Sequence, residues 1–242
     1  MTTWFIADLH LDASRPGITQ QLLDFLASVQ GRADALYILG DFFEYWVGDD
    51  ALGTPHAAVF LPVVDALQRL SASGVPMYFQ HGNRDFLVGE GFAKATGCTL
   101  LPEQQVIDLY GTPTLLLHGD SLCTDDVEYQ QLRKLFRNPQ WQQQFLSLPL
   151  GERIQQAEAM RVQSRMRMQG KAETILDVNP QAVVETMAAA GVSRLIHGHT
   201  HRPAVHDVTI ANRPAQRIVL GDWHEDRGSF LSVDAGEVRL TV

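Results

Sequence analysis

Seven side chains in this sequence, Asp8, His10, Asp41, Asn83, His118, His199 and His201, have the types and spacing to hold two metal ions. They fall in the stretches Asp8-Leu9-His10, Gly40-Asp41, Gly82-Asn83-Arg84-Asp85, His118 and Gly198-His199-Thr200-His201. Carboxylate, amide and imidazole donors without a thiolate suit borderline-hard divalent cations such as Mn, Fe or Zn better than a structural zinc. On a strand, Asp8 and His10 would share a face and hold one cation together. Asp41 follows a glycine that lets the backbone come close, and its two oxygens can bridge both ions. Asn83, His118 and His199 complete a second site beside it, and His201 returns to the first. Two cations about 3.5–4 Å apart acidify a bridging water and neutralise a phosphoryl group, which favours in-line attack of hydroxide on phosphorus. Asp85 and Asp120, just beyond ligand positions, either orient ligand imidazoles or are turn and surface carboxylates.

These residues need scaffolding that brings distant segments together. Each stretch ends an apolar run, at residues 4–7, 36–39, 77–79, 115–117 and 195–196, which reads as a short buried strand. Ligands at the ends of strands in open sheets can converge on one place. Amphipathic stretches at 18–29 and 57–72, the second stopped by Gly74 and Pro76, alternate with these runs as βαβ units do. From about Val205 the pattern turns to short strands at 218–220, 229–233 and 238–242, with a turn at Asp234 to Gly236. The expected fold is α/β, two sheets covered by helices, in a single domain over residues 1–242.

Residues 124–171 break the alternation and read as an inserted helical lid. Between Glu128 and Lys171, Arg133, Lys134, Arg137, Arg153, Arg161, Arg165, Arg167 and Lys171 stand against only Glu128, Glu152 and Glu158, amid Leu132, Leu135, Phe136, Trp141, Phe145, Leu146, Leu148 and Leu150. Basic and apolar residues over a metal site suggest a substrate carrying both phosphate and hydrocarbon. The alternative is a helical hairpin packed on itself with solvated charges. Arg161, Ser164, Met168 and Lys171 share one helical face, which can look onto the site.

At 242 residues with 45% apolar composition, the chain has the length and content for a packed core. Its net charge of -9 argues against general nucleic-acid binding. Cys98 and Cys123 read as reduced, buried thiols. No apolar run approaches the roughly 18 residues that span a bilayer, and no basic leader opens the chain, so a cytoplasmic protein is expected.

The ordered ligand set resembles the calcineurin-like metallophosphoesterases over nearly the whole chain outside the lid. That resemblance implies a four-layer αββα sandwich. It also implies that Asp8, His10, Asp41 and His201 hold one metal, and that Asp41, Asn83, His118 and His199 hold the other. The chain departs where the family usually has His after Asn. Here Arg84 stands, which stays protonated and acts as a fixed cation. A leaving group that needs no proton, such as the phosphate of a cut pyrophosphate, suits this, unless Arg84 simply pairs with Asp85 or a nearby loop.

The runs 117–123, 196–203 and 220–223 narrow the resemblance to family members that hydrolyse UDP-2,3-diacylglucosamine at the α-phosphorus. Their products are UMP and 2,3-diacylglucosamine 1-phosphate. The implied cofactor is two Mn2+, and the implied location is the cytoplasmic face of the inner membrane, bound peripherally to its anionic surface. Asp41, Asn83 and Arg84 would then be catalytic. Asn83, Arg84, Asp126, Ser164, Met168, Lys171 and His199 would contact substrate, with Met168 departing from a polar residue and able instead to line an acyl chamber. No obligate protein partner is inferred. A soluble nucleotide or phosphodiester substrate is the alternative, and a non-enzymatic scaffold is the more remote one.

Overall fold

The computed structural model describes residues 2–168 and 175–242, without the side chain of Met168. Lys171 lies outside the described residues. Strands β1 (Thr2–Ile6), β2 (Ala33–Leu39), β3 (Met77–Gln80), β4 (Thr99–Leu100), β10 (Phe230–Val233) and β11 (Val238–Thr241) form a six-stranded sheet in the order β11-β10-β1-β2-β3-β4. Strands β5 (Gln105–Leu109), β6 (Thr112–Leu116), β7 (Arg194–His197), β8 (Ala204–Ile210) and β9 (Arg213–Val219) form a five-stranded sheet in the order β5-β6-β7-β9-β8.

Side chains alternate across each strand, and that alternation builds the layers. Phe5, Tyr37, Leu39, Leu116, Ile196, Ile218 and Leu231 meet between the two sheets. Ile6, Leu36 and Ile38 point the other way, against Leu22 and Leu26 of helix α1 (Pro16–Val29), Leu67 of α2 (Leu61–Ala72) and Phe92 of α3 (Glu90–Thr96). On the far side, Leu115, Leu117 and Leu195 pack on Val183 and Met187 of α7 (Pro180–Ala190). The result is helix, sheet, sheet, helix. β1, β2 and β3 are mutually parallel, as are β6 and β7, so within each group the carboxyl ends lie along one edge of the sheet.

Several local expectations shift. The amphipathic stretch 57–72 is α-helical only from Leu61, where Pro62 occupies the first turn; residues Pro55–Phe60 form a 3-10 helix. The strand expected at 218–220 is the end of β9, which pairs in a hairpin with the unforeseen β8. Its turn uses Ala211 and Asn212, both at positive φ, without the Asn-Gly signal that normally announces such a hairpin. At the turn between β10 and β11, Asp234 Oδ1 accepts the N–H groups of Gly236 and Glu237.

Between β6 and β7 the chain forms α4 (Val127–Phe136), α5 (Pro139–Leu146) and α6 (Leu150–Met168). The breaks fall at Pro139, capped by Asn138, and just after Pro149. This segment is not a hairpin packed only on itself. Phe136 stacks on Phe86 at 5.5 Å, and Phe145, Trp141, Leu148, Leu150 and Ile154 join the core cluster that contains α1 to α3.

Arg153 secures the segment from beneath: Nη1 donates to Val47 O at 2.5 Å and Asp50 Oδ1 at 2.8 Å, and Nη2 pairs with Asp50 Oδ2. Replacing Arg153 with alanine strips a buried carbonyl of its donor, while the mostly exposed Asp50 is rehydrated. We expect Arg153→Ala to lower stability by about 1–2 kcal/mol. Amide exchange should quicken along Leu150–Met168 more than in α1 or α7, as hydrogen-exchange mass spectrometry beside a thermal melt would read.

Candidate metal centre

All seven sequence-selected donors come together past the strand ends. Asp8 and His10 follow β1, Asp41 follows β2, Asn83 follows β3, His118 follows β6, and His199 and His201 follow β7. The strand-face argument for Asp8 and His10 is corrected here. β1 ends at Ile6, and both residues lie in a loop with left-handed backbone, φ 56° and 49°. Asp41, His199 and His201 also have positive φ, at 51°, 71° and 54°. Each such residue carries roughly 1–2 kcal/mol of strain. Bonds between the loops hold them there: Asp8 N to Gly40 O, His10 N to Asp41 O, Gly198 N to His118 O, and His199 N to Asp8 Oδ2, the last at 2.8 Å. A Cβ at Gly82 would collide with Asp41 and one at Gly198 with Asp8, so both glycines are required for the close approach.

The donors sort into two groups, Asp8 with His10 and His201, and Asp41 with His118 and His199, each with ligand atoms within 4.8 Å of one another. Asp41 faces both groups: Oδ2 is 3.8 Å from His10 Nε2, and Oδ1 is 3.6 Å from His118 Nε2. Asn83 Oδ1 lies 3.1 Å from His118 Nε2 and 2.9 Å from His199 Nδ1.

Proton placement tests whether cations fit. His118 Nδ1 lies 2.8 Å from Leu39 O, which only accepts, so in the neutral ring the lone pair sits on Nε2, facing further acceptors. His10 Nδ1 lies 3.2 Å from Glu44 Oε2 and His201 Nδ1 3.5 Å from Asp222 Oδ2, which turns two Nε2 lone pairs toward each other across 3.3 Å. Asp8 Oδ1 is buried and, among the described residues, without a hydrogen-bond partner. Cations relieve this crowding at both groups. Without them the chain retains a proton: burial pulls His201 down, but Asp222 and Asp8 lift it to about 10. Burial would likewise raise Asp8, but His201, His118 and His10 hold it at about 2.

The surrounding carboxylates correct the expectation that Asp85 and Asp120 orient imidazoles or sit at the surface. Asp85 is fully buried and accepts the N–H groups of Phe42, at 2.7 Å, and Gly82, at 2.8 Å, tying the Asp41 loop to the Asn83 loop. Burial and the nearby Asp41 raise its pKa to about 6. Asp120 accepts from Arg133 Nε at 2.8 Å and from Tyr129 Oη at 3.1 Å, and the Tyr129 ring stacks on His199 at 5.8 Å. The groups that do face ligand imidazoles are Glu44 and Asp222, neither of them an expected site residue. Asp222 lies in the run 220–223 that carries the resemblance, whereas nothing in the local spacing of Glu44 marks it, since its partners His10 and Arg161 lie far along the chain.

The two donor groups open into a cavity of about 490 Å³ whose remaining wall is largely apolar, including Trp46, Phe86, Leu132, Phe136, Trp141 and Met160. Arg84 lines it with Nε buried and, among the described residues, without a hydrogen-bond partner; Asp85, the alternative partner, is occupied by backbone amides. Asp126 lines it too and caps α4, its Oδ1 accepting from Tyr129 N at 3.1 Å. Of the expected helical face, Arg161 and Ser164 line the cavity, and Arg167 of the same helix joins them. Met168 ends α6, its side chain outside the description.

The segment's cations are less free than expected. Arg133 pairs with Asp120 and Glu103, Arg137 donates to Gly82 O at 2.9 Å, Arg161 meets Glu44 and Asp12, and Arg167 meets Glu128 at 3.3 Å.

A family model described as calcineurin-like phosphoesterase matches residues 1–203. A UDP-2,3-diacylglucosamine hydrolase of Serratia proteamaculans is 52% identical over 240 residues, covering 99% of this chain and 98% of that one. One of Stenotrophomonas maltophilia is 55% identical over 243 residues, covering 98% and 96%. Among solved structures, an archaeal phosphodiesterase aligns over 100% of this chain and 99% of its own at 12% identity and a TM-score of 0.49.

The close approach at Gly82 generates a test. Gly82→Ala should leave the fold intact by circular dichroism but displace Asp41, lowering Mn2+ stoichiometry measured by plasma mass spectrometry. Full metal loading of that variant would mean the Asp41 position tolerates movement that the packing forbids.

Proposed function

Because this chain belongs to the calcineurin-like phosphoesterase family, we propose that it is a two-metal hydrolase of UDP-2,3-diacylglucosamine, yielding UMP and 2,3-diacylglucosamine 1-phosphate for lipid A synthesis. The observation that carries the substrate is the single cavity joining a hard-donor floor to an apolar wall on α4, α5 and α6. A diphosphate suits the floor, and acyl chains suit the wall. Relatives about half identical over nearly their full length bear the name of that hydrolase, which supports the same reading.

Asp8, His10, Asp41 and His201 would hold one Mn2+, and Asp41, Asn83, His118 and His199 the other. Bound cations of this kind acidify water and neutralise phosphoryl charge. The chain's own residues set the geometry for attack at the α-phosphorus. Asp41 shares its oxygens between the two donor groups. Arg84 brings a guanidinium that stays protonated, so it clamps phosphoryl oxygens without giving up a proton. The sugar 1-phosphate leaves as an anion and needs none. Tyr129 holds the His199 ring by stacking, and the aromatic wall keeps bulk water from the acyl end.

Residues 124–171 act in this reading as a cap, with Asp126, Ser164 and, by position, Met168 and Lys171 around the sugar and its amides. The protein is then peripheral on the cytoplasmic face of the inner membrane. Exposed Leu135, Leu146, Val162 and Met166 on the cap helices support surface attachment, and among the described residues no helix is long and apolar enough to cross a membrane. With most cap arginines engaged by body carboxylates, apolar contact contributes more than attraction to anionic lipid.

Hydrolysis of UDP-2,3-diacylglucosamine in detergent with Mn2+ and oxygen-18 water tests the reaction. Label should enter UMP; label in the sugar phosphate, or cleavage of soluble nucleotides alone, would overturn the attack site or the substrate. Asp41→Ala should abolish turnover and metal loading together. Arg84→Ala should lower kcat by about 10²–10³-fold with metal loading unchanged. A change in KM alone would reduce Arg84 to a binding group.

A further inference from the structure

Glu44 is a buried carboxylate held between two site loops: its N–H donates to Leu11 O at 3.1 Å, beside the bridge between Leu11 and Phe43. Its two oxygens serve different parts of the molecule. Oε2 lies 3.2 Å from His10 Nδ1 and 3.7 Å from Arg15 Nη2. Oε1 lies 2.5 Å from Arg161 Nε and 3.5 Å from Arg165 Nη2, both on α6. The opposite nitrogen of His10 points into the group formed with Asp8 and His201.

We infer that Glu44 is a positioning residue that couples cation binding at the Asp8, His10 and His201 group to the docking of α6. The inference rests on the two-metal reading. A carboxylate oxygen 3.2 Å from Nδ1 favours the tautomer with its proton on that nitrogen, which leaves the Nε2 lone pair toward the cation and strengthens it as a donor. The other oxygen of the same buried carboxylate is the ion-pair partner of Arg161 and Arg165, so its position and that of α6 depend on each other. A cation drawing on His10 therefore strengthens the demand for Arg161, and a docked Arg161 holds Glu44 where His10 needs it. Linkage makes the effect reciprocal: whatever factor α6 docking adds to cation affinity, the cation returns to docking.

The reciprocity also gives an unusual sign. By charge alone, deleting Arg161 near a cation site should tighten cation binding, whereas coupling requires that it weaken.

The test is titration of the metal-free full chain with Mn2+ alone by calorimetry, with hydrogen exchange read over Leu150–Met168 before and after. The unsubstituted chain should bind two Mn2+ and gain protection along α6. Glu44→Gln, nearly isosteric, should weaken one of the two sites about 10–100-fold and lose the Mn2+-dependent protection of α6. Arg161→Gln should weaken that same site several-fold although it is no ligand, and it carries the test if Glu44→Gln fails to fold by circular dichroism. Unchanged or tighter Mn2+ binding in Arg161→Gln, or full Mn2+-dependent protection in Glu44→Gln, would overturn the coupling while leaving the metal centre standing. Absence of Mn2+ binding by the unsubstituted chain would overturn the metal reading and this inference with it.

Discussion

The crowding of acceptors at the strand ends is the constraint around which the molecule is arranged. Asp8, Asp41, Asn83 and the Nε2 atoms of His10, His118 and His201 are brought within a few ångströms of one another, with Asp8, Asp41 and His118 almost fully buried. Neutral side chains have no proton arrangement that satisfies all of these lone pairs. Such a cluster persists only when surrounding structure over-determines it. Here the restraints are left-handed ligand backbones, main-chain bonds between loops, and glycines where a side chain would collide. The two sheets serve the same end: the parallel pairings of β1 to β3, and of β6 with β7, bring ligand loops from distant parts of the chain to common edges.

Negative charge concentrated at that edge in turn organises α4 and α6. Asp120 receives Arg133 and Tyr129 from α4, Glu44 receives Arg161 and Arg165 from α6, and Arg153 reaches Asp50 and Val47. Exposed ion pairs of this kind contribute little, but those with a buried member define where the helices sit. Because the arginines point inward to carboxylates, the cavity keeps aromatic and aliphatic side chains for most of its wall and leaves Arg84 beside the metal donors. Polar floor and apolar wall follow from one distribution of charge.

The donors Asp8, His10, Asp41, Asn83, His118, His199 and His201 could be found in the sequence because each sits just past a short apolar run, and such runs end where open sheets present ligands. The layering was readable from the way such runs alternate with the amphipathic stretches 18–29 and 57–72, which calls for sheets covered by helices. The hairpin of β8 and β9 escaped because Ala211 and Asn212 carry no strong turn signal, and α2 began late because Pro62 marks a first turn rather than an interior one.

What the sequence determined by itself was therefore the identity and order of the donors, the existence of the short strands that precede them, and the helical character of most of the inserted segment. Only the tertiary structure decided that Asp85 binds backbone rather than imidazole, that Glu44 and Asp222 face His10 and His201, and that Arg133, Arg153 and Arg161 spend their charge on the body. The division has a physical cause. Strand and helix periodicity, capping and turns are set by neighbours within a few residues, whereas partners such as Arg153 with Asp50, or Arg161 with Asp12, are separated by more than a hundred positions, and their pairing exists only once the sheets have brought them together.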